Sequence, residues 1–124
     1  MAKTVLVVED FDDVRNAMKF LVQLGGHEVI EAADGRQAVE RASQHLPDLI
    51  LMDLAMPVYD GIEATRELRS DPKTSKIPIV AVTSYGQQYR EQALAAGCDE
   101  VYDKPQLMSD LSIVNDLVSK YASA

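Results

Sequence analysis

The stretch TVLVVED at residues 4–10 joins an unbroken, largely apolar run to two carboxylates. Because Thr4–Val8 has no alternating polar face, it predicts a strand that is buried on both sides of a sheet. Apolar side chains then recur at i, i+3, i+4, i+7 and i+8 from Val14 to Val22, which predicts an amphipathic helix. The chain is therefore predicted to open with a buried strand, an acidic loop and a helix.

This alternation of short apolar runs and helix-period segments continues to the end of the chain. Such alternation predicts a parallel sheet covered by helices on both faces. The chain is too short for an eight-stranded barrel, so we expect an α/β fold with an open, doubly wound sheet of five strands and five helices, whose ligand site lies outside the carboxyl ends of the strands. The remaining predicted strands are Glu28–Ala32, Leu49–Met52, Ile79–Val82 and Val101–Tyr102, and the remaining helices are marked by Ala38–Ala42, Ile62–Arg69, Gln87–Ala96 and Leu107–Tyr121.

The composition narrows the class of protein. A length of 124 residues predicts a single domain over residues 1–124. The formal net charge of -8 argues against nucleic acid as the main ligand, because an acidic surface repels phosphate backbones. A single cysteine, Cys98, together with the lack of a long apolar run or a signal peptide, predicts a cytoplasmic protein without a membrane segment.

Polar side chains stand at the ends of four of the five predicted strands. They are Glu9 and Asp10 after the first strand, Asp53 after the third, Thr83 at the end of the fourth and Lys104 after the fifth. If the first and third strands are neighbours, the three carboxylates crowd together, repel one another and require a cation. A few carboxylates with water is the ligand set typical of Mg²⁺. A hydroxyl and an ammonium beside them would donate to phosphoryl oxygens. The set therefore suits in-line phosphoryl transfer to a carboxylate.

Four segments of the chain together carry a family resemblance. The sequence resembles the receiver domain of a two-component response regulator and is similar to single-domain, chemotaxis-type regulators. The resemblance spans essentially the whole chain and implies a flavodoxin-like sheet with strand order 2-1-3-4-5. The matching segments are VLVVED at 5–10, LILMDLAMPVYDG at 49–61, VAVTS at 80–84 and VYDKP at 101–105.

The resemblance implies a role for each strand-end residue. Asp53 would accept a phosphoryl group from a phosphohistidine, and Thr83 and Lys104 would bind the phosphoryl oxygens. The implied ligands of Mg²⁺, or of Mn²⁺ in its place, are Glu9, Asp10, Asp53 and the backbone carbonyl of Ala55. Glu9 stands where the family more often has an aspartate, and its extra methylene is expected to affect metal affinity.

The resemblance also implies a conformational switch. Tyr102 would be the switch aromatic, turning inward when Thr83 moves toward the phosphoryl group. The Lys104–Pro105 peptide bond would be cis. The chain would catalyse only its own phosphorylation and dephosphorylation.

The implied partners are other proteins. The phosphoryl donor would be a sensor histidine kinase or a histidine phosphotransfer protein. The chain ends soon after its last predicted helix, so output is expected through protein contact at the face formed by the fourth helix, the fifth strand and the fifth helix, in a monomer or weak dimer. Residues expected on or near that face are Tyr85, Tyr89, Arg90 and Tyr102.

Other acidic residues have structural explanations. Asp12 and Asp13 are predicted to be first-turn charges that complement a helix dipole. Asp34 and Asp60 are predicted to be helix N-caps.

Three alternative functions make different demands on the residues of the chain. A flavin phosphate would be repelled by the loop EDFDD at residues 9–13, and a haloacid-dehalogenase-type phosphatase would need an aspartate where Ala55 stands. The remaining alternative is a pseudo-receiver, an interaction module that is never phosphorylated. All the chemical residues are present in the chain, which favours a phosphorylated receiver.

Overall fold

The computed structural model of the chain describes residues 3–54, 60–84 and 86–121, without the side chains of residues 86–88. Strands and helices alternate as the apolar pattern predicts. The strands are β1 (Thr4–Val8), β2 (Glu28–Ala32), β3 (Leu49–Asp53), β4 (Ile79–Thr83) and β5 (Glu100–Asp103). The helices are α1 (Asp12–Leu24), α2 (Gly35–His45), α3 (Gly61–Ser70), α4 (Gly86–Ala96), α5 (Lys104–Ser109) and α6 (Leu111–Tyr121).

The five strands form one parallel sheet in the order β2-β1-β3-β4-β5. This is the predicted doubly wound topology, and the order reverses between β1 and β3. The carboxyl ends of these two strands therefore flank the crevice in which such sheets bind ligands. Both strands are buried almost throughout, as expected for the centre of a sheet covered on both faces.

Alternate strand residues point into two separate apolar layers. In one layer, the side chains of Leu6, Ile50 and Ala81 pack with helices α2, α3 and α4. In the other, Val7 and Leu51 pack with helices α1, α5 and α6. Two strand residues that are one position apart in the sequence therefore face different layers.

The closing helical segment is two helices rather than the single one predicted, so the described part of the chain holds six helices. The break is at Asp110, whose backbone is extended with φ -142° and ψ 104°. Its carboxylate accepts hydrogen bonds from the backbone N–H of Ser112 at 2.9 Å and from the Ser112 hydroxyl at 2.7 Å. An Asp that bonds to the backbone two residues on favours a new helix start over a continuing helix.

Two predicted helix N-caps are confirmed. Asp34 accepts a hydrogen bond from the N–H of Gln37 at 2.8 Å, and Asp60 accepts one from the N–H of Glu63 at the same distance. Each carboxylate satisfies a backbone donor that the first turn of a helix leaves without a partner. The cap at Asp60 begins α3 directly beside the end of β3.

Candidate functional site

The carboxyl edge of the sheet brings Glu9, Asp10 and Asp53 together. One carboxylate oxygen from each residue lies within 4.8 Å of the others. Glu9 and Asp53 are almost completely buried, whereas Asp10 is half-buried. The pairing of β1 with β3 produces this arrangement, since Val8 lies opposite Met52 and the acidic residues follow directly.

Lys104 provides the cation of this cluster. Its ammonium nitrogen lies 2.6 Å from Oε1 of Glu9 and 3.4 Å from Oδ2 of Asp53. Burial alone would lower the pKa of Lys104, but the hydrogen bond to Glu9 and the charge of Asp53 outweigh burial, so its pKa is raised. One ammonium among three carboxylates leaves a net charge of about -2 in a poorly solvated place, and this favours binding of a divalent cation.

Glu9 is held in place through both its backbone and its side chain. Its N–H donates to the carbonyl oxygen of Ala32 at 3.1 Å, which extends the pairing of β1 with β2 by one residue. Its second carboxylate oxygen, Oε2, accepts from the N–H of Phe11 at 3.1 Å. Oε2 of Glu9 therefore has a backbone donor and Oε1 is paired with the Lys104 ammonium, whereas Oδ1 of Asp10 is buried with neither a hydrogen bond nor an ion pair among the described residues.

Gly61 allows α3 to begin against the end of β3. A Cβ atom at this position would lie 2.2 Å from the carbonyl oxygen of Asp53 and 2.9 Å from Cα of Leu54. Both contacts are with backbone, which cannot move aside as a flexible side chain would. A glycine is therefore required here for close approach rather than for an unusual backbone angle.

Thr83 ends β4 beside the acidic cluster and is completely buried. The preceding residue, Val82, pairs in register with Asp53. The structure therefore places Thr83 at the same edge of the sheet as the carboxylates and Lys104. Ala55, the remaining predicted metal ligand, lies outside the described residues.

Tyr102 lies on the opposite face of the sheet from Thr83. Thr83 alternates with Val82 and therefore faces the same layer as Ala81. Tyr102 pairs with Val82 and packs in the other layer, whereas Val101 packs in the layer that Thr83 faces. The expected inward turn of Tyr102 beside Thr83 does not fit this geometry.

Instead, Tyr102 belongs to a polar group around Glu100, on the face that carries α6. The carboxylate of Glu100 accepts hydrogen bonds from the Tyr121 hydroxyl and from the Lys120 ammonium, the latter at 2.9 Å. Burial and the nearby charge of Glu100 raise the pKa of Tyr102. Tyr102 is therefore tied to the start of its own strand and not to the acidic cluster.

The expected cis peptide bond is absent. No peptide bond in residues 3–54, 60–84 and 86–121 is cis, and this includes Lys104–Pro105. Pro105 stands in the first turn of α5, a position at which proline needs no backbone N–H.

Of the residues expected at the output face, Arg90 is exposed and Tyr89 is half-buried against the layer that contains Val101. Tyr85 lies outside the described residues. Within the described part of the chain, no helix has the length and apolar character needed to cross a membrane.

Comparison with known proteins agrees with this fold and cluster. The model of the response regulator receiver domain family matches residues 5–114. The polar-differentiation response regulator DivK of Brucella anthropi is 35% identical over 106 residues, which cover 85% of this chain and 86% of DivK. A receiver domain of the sensor histidine kinase PA1611 from Pseudomonas aeruginosa PAO1, solved with magnesium coordinated in its active site cleft, is 31% identical and superposes over 100% of both chains with a TM-score of 0.90.

The chemotaxis protein CheY4 of Vibrio cholerae has the same fold, with 26% identity, a TM-score of 0.86, and coverage of 98% of this chain and 99% of its own. The family match covers most of the chain, and the relatives are matched over nearly their full lengths. The chain belongs to the response regulator receiver domains of two-component systems.

Proposed function

We propose that this receiver is phosphorylated on Asp53 in a reaction that depends on Mg²⁺ or Mn²⁺. The observation that carries the proposal is the cluster in which three carboxylate oxygens lie within 4.8 Å of one another, and in which the two buried carboxylates, Glu9 and Asp53, pair with one ammonium. A purely structural site would be more stable with fewer like charges, because burying charge is costly unless it is compensated. The cluster therefore keeps a charge pattern that suits a cation and a phosphoryl group.

The residues divide the work by their chemistry. A carboxylate oxygen of Asp53 attacks the phosphorus of a phosphohistidine, the bond from phosphorus to the histidine nitrogen breaks, and the imidazole leaves with the electron pair of that bond. Lys104 and the Thr83 hydroxyl donate to the oxygens of the transferred group, on which negative charge is spread.

Glu9, Asp10 and Asp53 would hold the metal, with the carbonyl of Ala55 as a further ligand. When bound, the metal supplies positive charge that offsets the carboxylates and the phosphoryl oxygens. In the structure Lys104 is bonded to Glu9 at 2.6 Å and lies farther from Asp53. When a phosphoryl group is bound to Asp53, the Lys104 ammonium can therefore leave Glu9 and pair with the phosphoryl oxygens.

The partners follow from this chemistry. The donor is a phosphohistidine protein of the cytoplasm, either a sensor histidine kinase or a histidine phosphotransfer protein. The phosphorylated state signals by altering its surface through Thr83 and Lys104, toward a protein target at the face shared by α4, β5 and α5. We expect a monomer or weak dimer, with residues 1–124 acting as one receiver unit.

The test is incubation with acetyl phosphate and Mg²⁺, followed by measurement of the intact mass. We expect one added phosphoryl group on the wild-type chain, lost on treatment with hydroxylamine because an acyl phosphate is reactive. Asp53→Asn should remove the adduct and EDTA should prevent it. Asp34→Asn is the matched control: it makes the same change at a helix cap and should be labelled like the wild type.

A second pair of variants tests the roles of the neighbouring residues. Lys104→Met and Thr83→Ala should slow labelling while leaving Asp53 as the labelled residue. If the wild-type chain acquires no adduct under conditions that label other receivers, the proposal is wrong and the chain is a pseudo-receiver. Label that persists in Asp53→Asn would assign the acceptor to another residue.

A further inference from the structure

Arg15 lies in the first turns of α1 and is only 15% exposed at its side chain. Its guanidinium donates to three acceptors on different parts of the chain. They are the carbonyl oxygen of Glu9 at 2.9 Å, Oε1 of Glu31 at 3.2 Å and Oδ1 of Asp12 at 2.6 Å. The fork of Arg15 therefore connects the end of β1, the neighbouring strand β2 and its own helix.

The contact with Glu9 concerns backbone rather than a side chain. The Glu9 carbonyl belongs to the peptide unit that leads into Asp10, and that unit is planar. Holding its oxygen therefore restricts the rotation of the plane and the position of Cα in Asp10. On the other side of Glu9, its N–H is held by Ala32 at 3.1 Å, so the backbone is restrained on both sides of the residue.

Asp10 depends on this backbone restraint. Its Oδ1 atom is buried with neither a hydrogen bond nor an ion pair among the described residues, whereas Oε2 of Glu9 accepts from Phe11 and Oε1 of Glu9 is paired with Lys104. Since no such partner holds this oxygen in the structure, the backbone that fixes the start of the side chain is the restraint on its direction that the structure shows. The peptide plane gripped by Arg15 is the last one before that point.

We infer that Arg15 is a positioning residue for metal binding, which acts by fixing the peptide plane that aims the Asp10 carboxylate into the cluster. The inference rests on the proposed function, because it assumes that Asp10 takes part in holding the metal. Arg15 itself contacts none of the three carboxylates in the described contacts. Its effect on the metal is therefore indirect.

The sign of the effect separates positioning from simple electrostatics. Arg15 is positively charged, so removing it should strengthen the attraction of the cluster for a cation if charge alone mattered. Loss of positioning should instead weaken metal binding, and groups that orient metal ligands commonly contribute roughly 10-fold or more to affinity. We therefore expect Arg15→Ala to bind Mg²⁺ roughly 10-fold more weakly than the wild type.

Arg15→Lys provides a second test at constant charge. A lysine ammonium is a single point donor and cannot reproduce the three-way fork of an arginine. We expect its Mg²⁺ affinity to fall as well. Lys19→Ala is the matched control, because Lys19 lies one turn farther along α1 and pairs with the same Glu31 carboxylate at 3.3 Å. Its Mg²⁺ affinity should be unchanged or slightly higher.

The experiment is isothermal titration of each 124-residue chain with MgCl₂, with circular dichroism to verify folding. Labelling by acetyl phosphate at increasing Mg²⁺ concentration is the second readout. In the Arg15 variants the half-saturating Mg²⁺ concentration should rise while the plateau rate is kept. If Arg15→Ala does not fold, Arg15→Lys decides the question.

Two failures can be told apart. Wild-type chain that binds no Mg²⁺ would overturn the proposed function, and the positioning role with it. Wild-type chain that binds Mg²⁺, with Arg15 variants that are folded and bind it as tightly or more tightly, would overturn the positioning role alone.

Discussion

Replacing Asp53 by asparagine should stabilise the protein when no divalent cation is present. The substitution keeps the shape of the side chain and removes one of three negative charges from a buried cluster. One oxygen of each carboxylate lies no more than 4.8 Å from the others, and at an effective dielectric constant of about 20 two unit charges at that limit repel by about 3.5 kcal/mol. Asp53 has two such neighbours, Glu9 and Asp10, so both repulsions are relieved.

The change also removes the attraction between Asp53 and Lys104. At 3.4 Å and the same dielectric constant this attraction is about 5 kcal/mol. The relieved repulsions exceed the lost attraction by at least about 2 kcal/mol, and we expect a gain of this order in the free energy of unfolding. With a urea dependence of roughly 2 kcal/mol per molar, the unfolding midpoint should rise by about 1 M.

The assay is urea unfolding followed by circular dichroism, in EDTA and again in saturating MgCl₂. Mg²⁺ should stabilise the wild type by about 2.7 kcal/mol at 100 times its dissociation constant, and Asp53→Asn by less, so the gap should close or reverse. Asp34→Asn controls for the amide itself and should change stability little, since asparagine caps a helix as well as aspartate does. An Asp53→Asn variant that is no more stable than the wild type in EDTA would refute the charge argument.

Three further predictions concern residues around the site and the sheet. Gly61→Ala should cost about 2 kcal/mol in urea unfolding and weaken Mg²⁺ binding, because the added methyl meets the backbone of Asp53 and Leu54; a fully stable Gly61→Ala variant would contradict the close approach. Arg69→Ala should lower the free energy of unfolding by about 3 kcal/mol in the same assay, because it removes a guanidinium that donates to four acceptors. The acceptors are the carbonyl oxygens of Gly97, Ser75 and Ile77 and the carboxylate of Asp99. Arg69→Lys should recover part of that loss. The hydrogen bond from Tyr121 lowers the pKa of Glu100 below its ordinary value of 4.5, so its stabilising effect should be complete above that pH and lost as the pH falls through the folded-state pKa. The difference in unfolding free energy between wild type and Glu100→Gln should therefore disappear in acid, and a difference that stays constant down to about pH 3 would rule out this origin.

The secondary-structure elements are predictable because each depends on local sequence. Unbroken apolar runs such as TVLVV at 4–8 and IVAV at 79–82 mark strands buried on both faces, and the strands observed there agree within a residue. The polar residues that follow those runs were expected to meet at one edge of the sheet, and Glu9, Asp53 and Lys104 do so. This inference needs the first and third strands to be neighbours, and that strand order came from the family resemblance rather than from the local sequence.

The role of Tyr102 was not predictable because it depends on register. A shift of one residue moves a strand side chain to the other face of the sheet, and the pairing of β5 with β4 cannot be read from VYDKP at 101–105. Counting the alternation back from Thr83 along the observed pairing assigns Val101, not Tyr102, to the same face. The expected turn of Tyr102 toward Thr83 does not fit the observed pairing of β5 with β4, because this pairing places the Tyr102 side chain on the opposite face of the sheet from Thr83.

Two other features were missed for different reasons. The helix break at Asp110 lies within a periodic apolar pattern that predicts one continuous helix. The break depends on the hydrogen bonds that the Asp110 carboxylate accepts from Ser112, which compete with helical hydrogen bonding. The three contacts of Arg15 join residues far apart in the chain. The available signal was an arginine one turn after an acidic loop, which is too common to single out a residue.

The direct junction of β5 with α5 couples the position of Lys104 to that of a helix. The strand ends at Asp103 and the helix begins at Lys104, so no loop separates the cation of the site from the first turn of a helix. α5 packs through Leu107 against the core. If Lys104 moves toward a phosphoryl group on Asp53, we therefore expect α5 to shift with it, without an aromatic side chain as an intermediate.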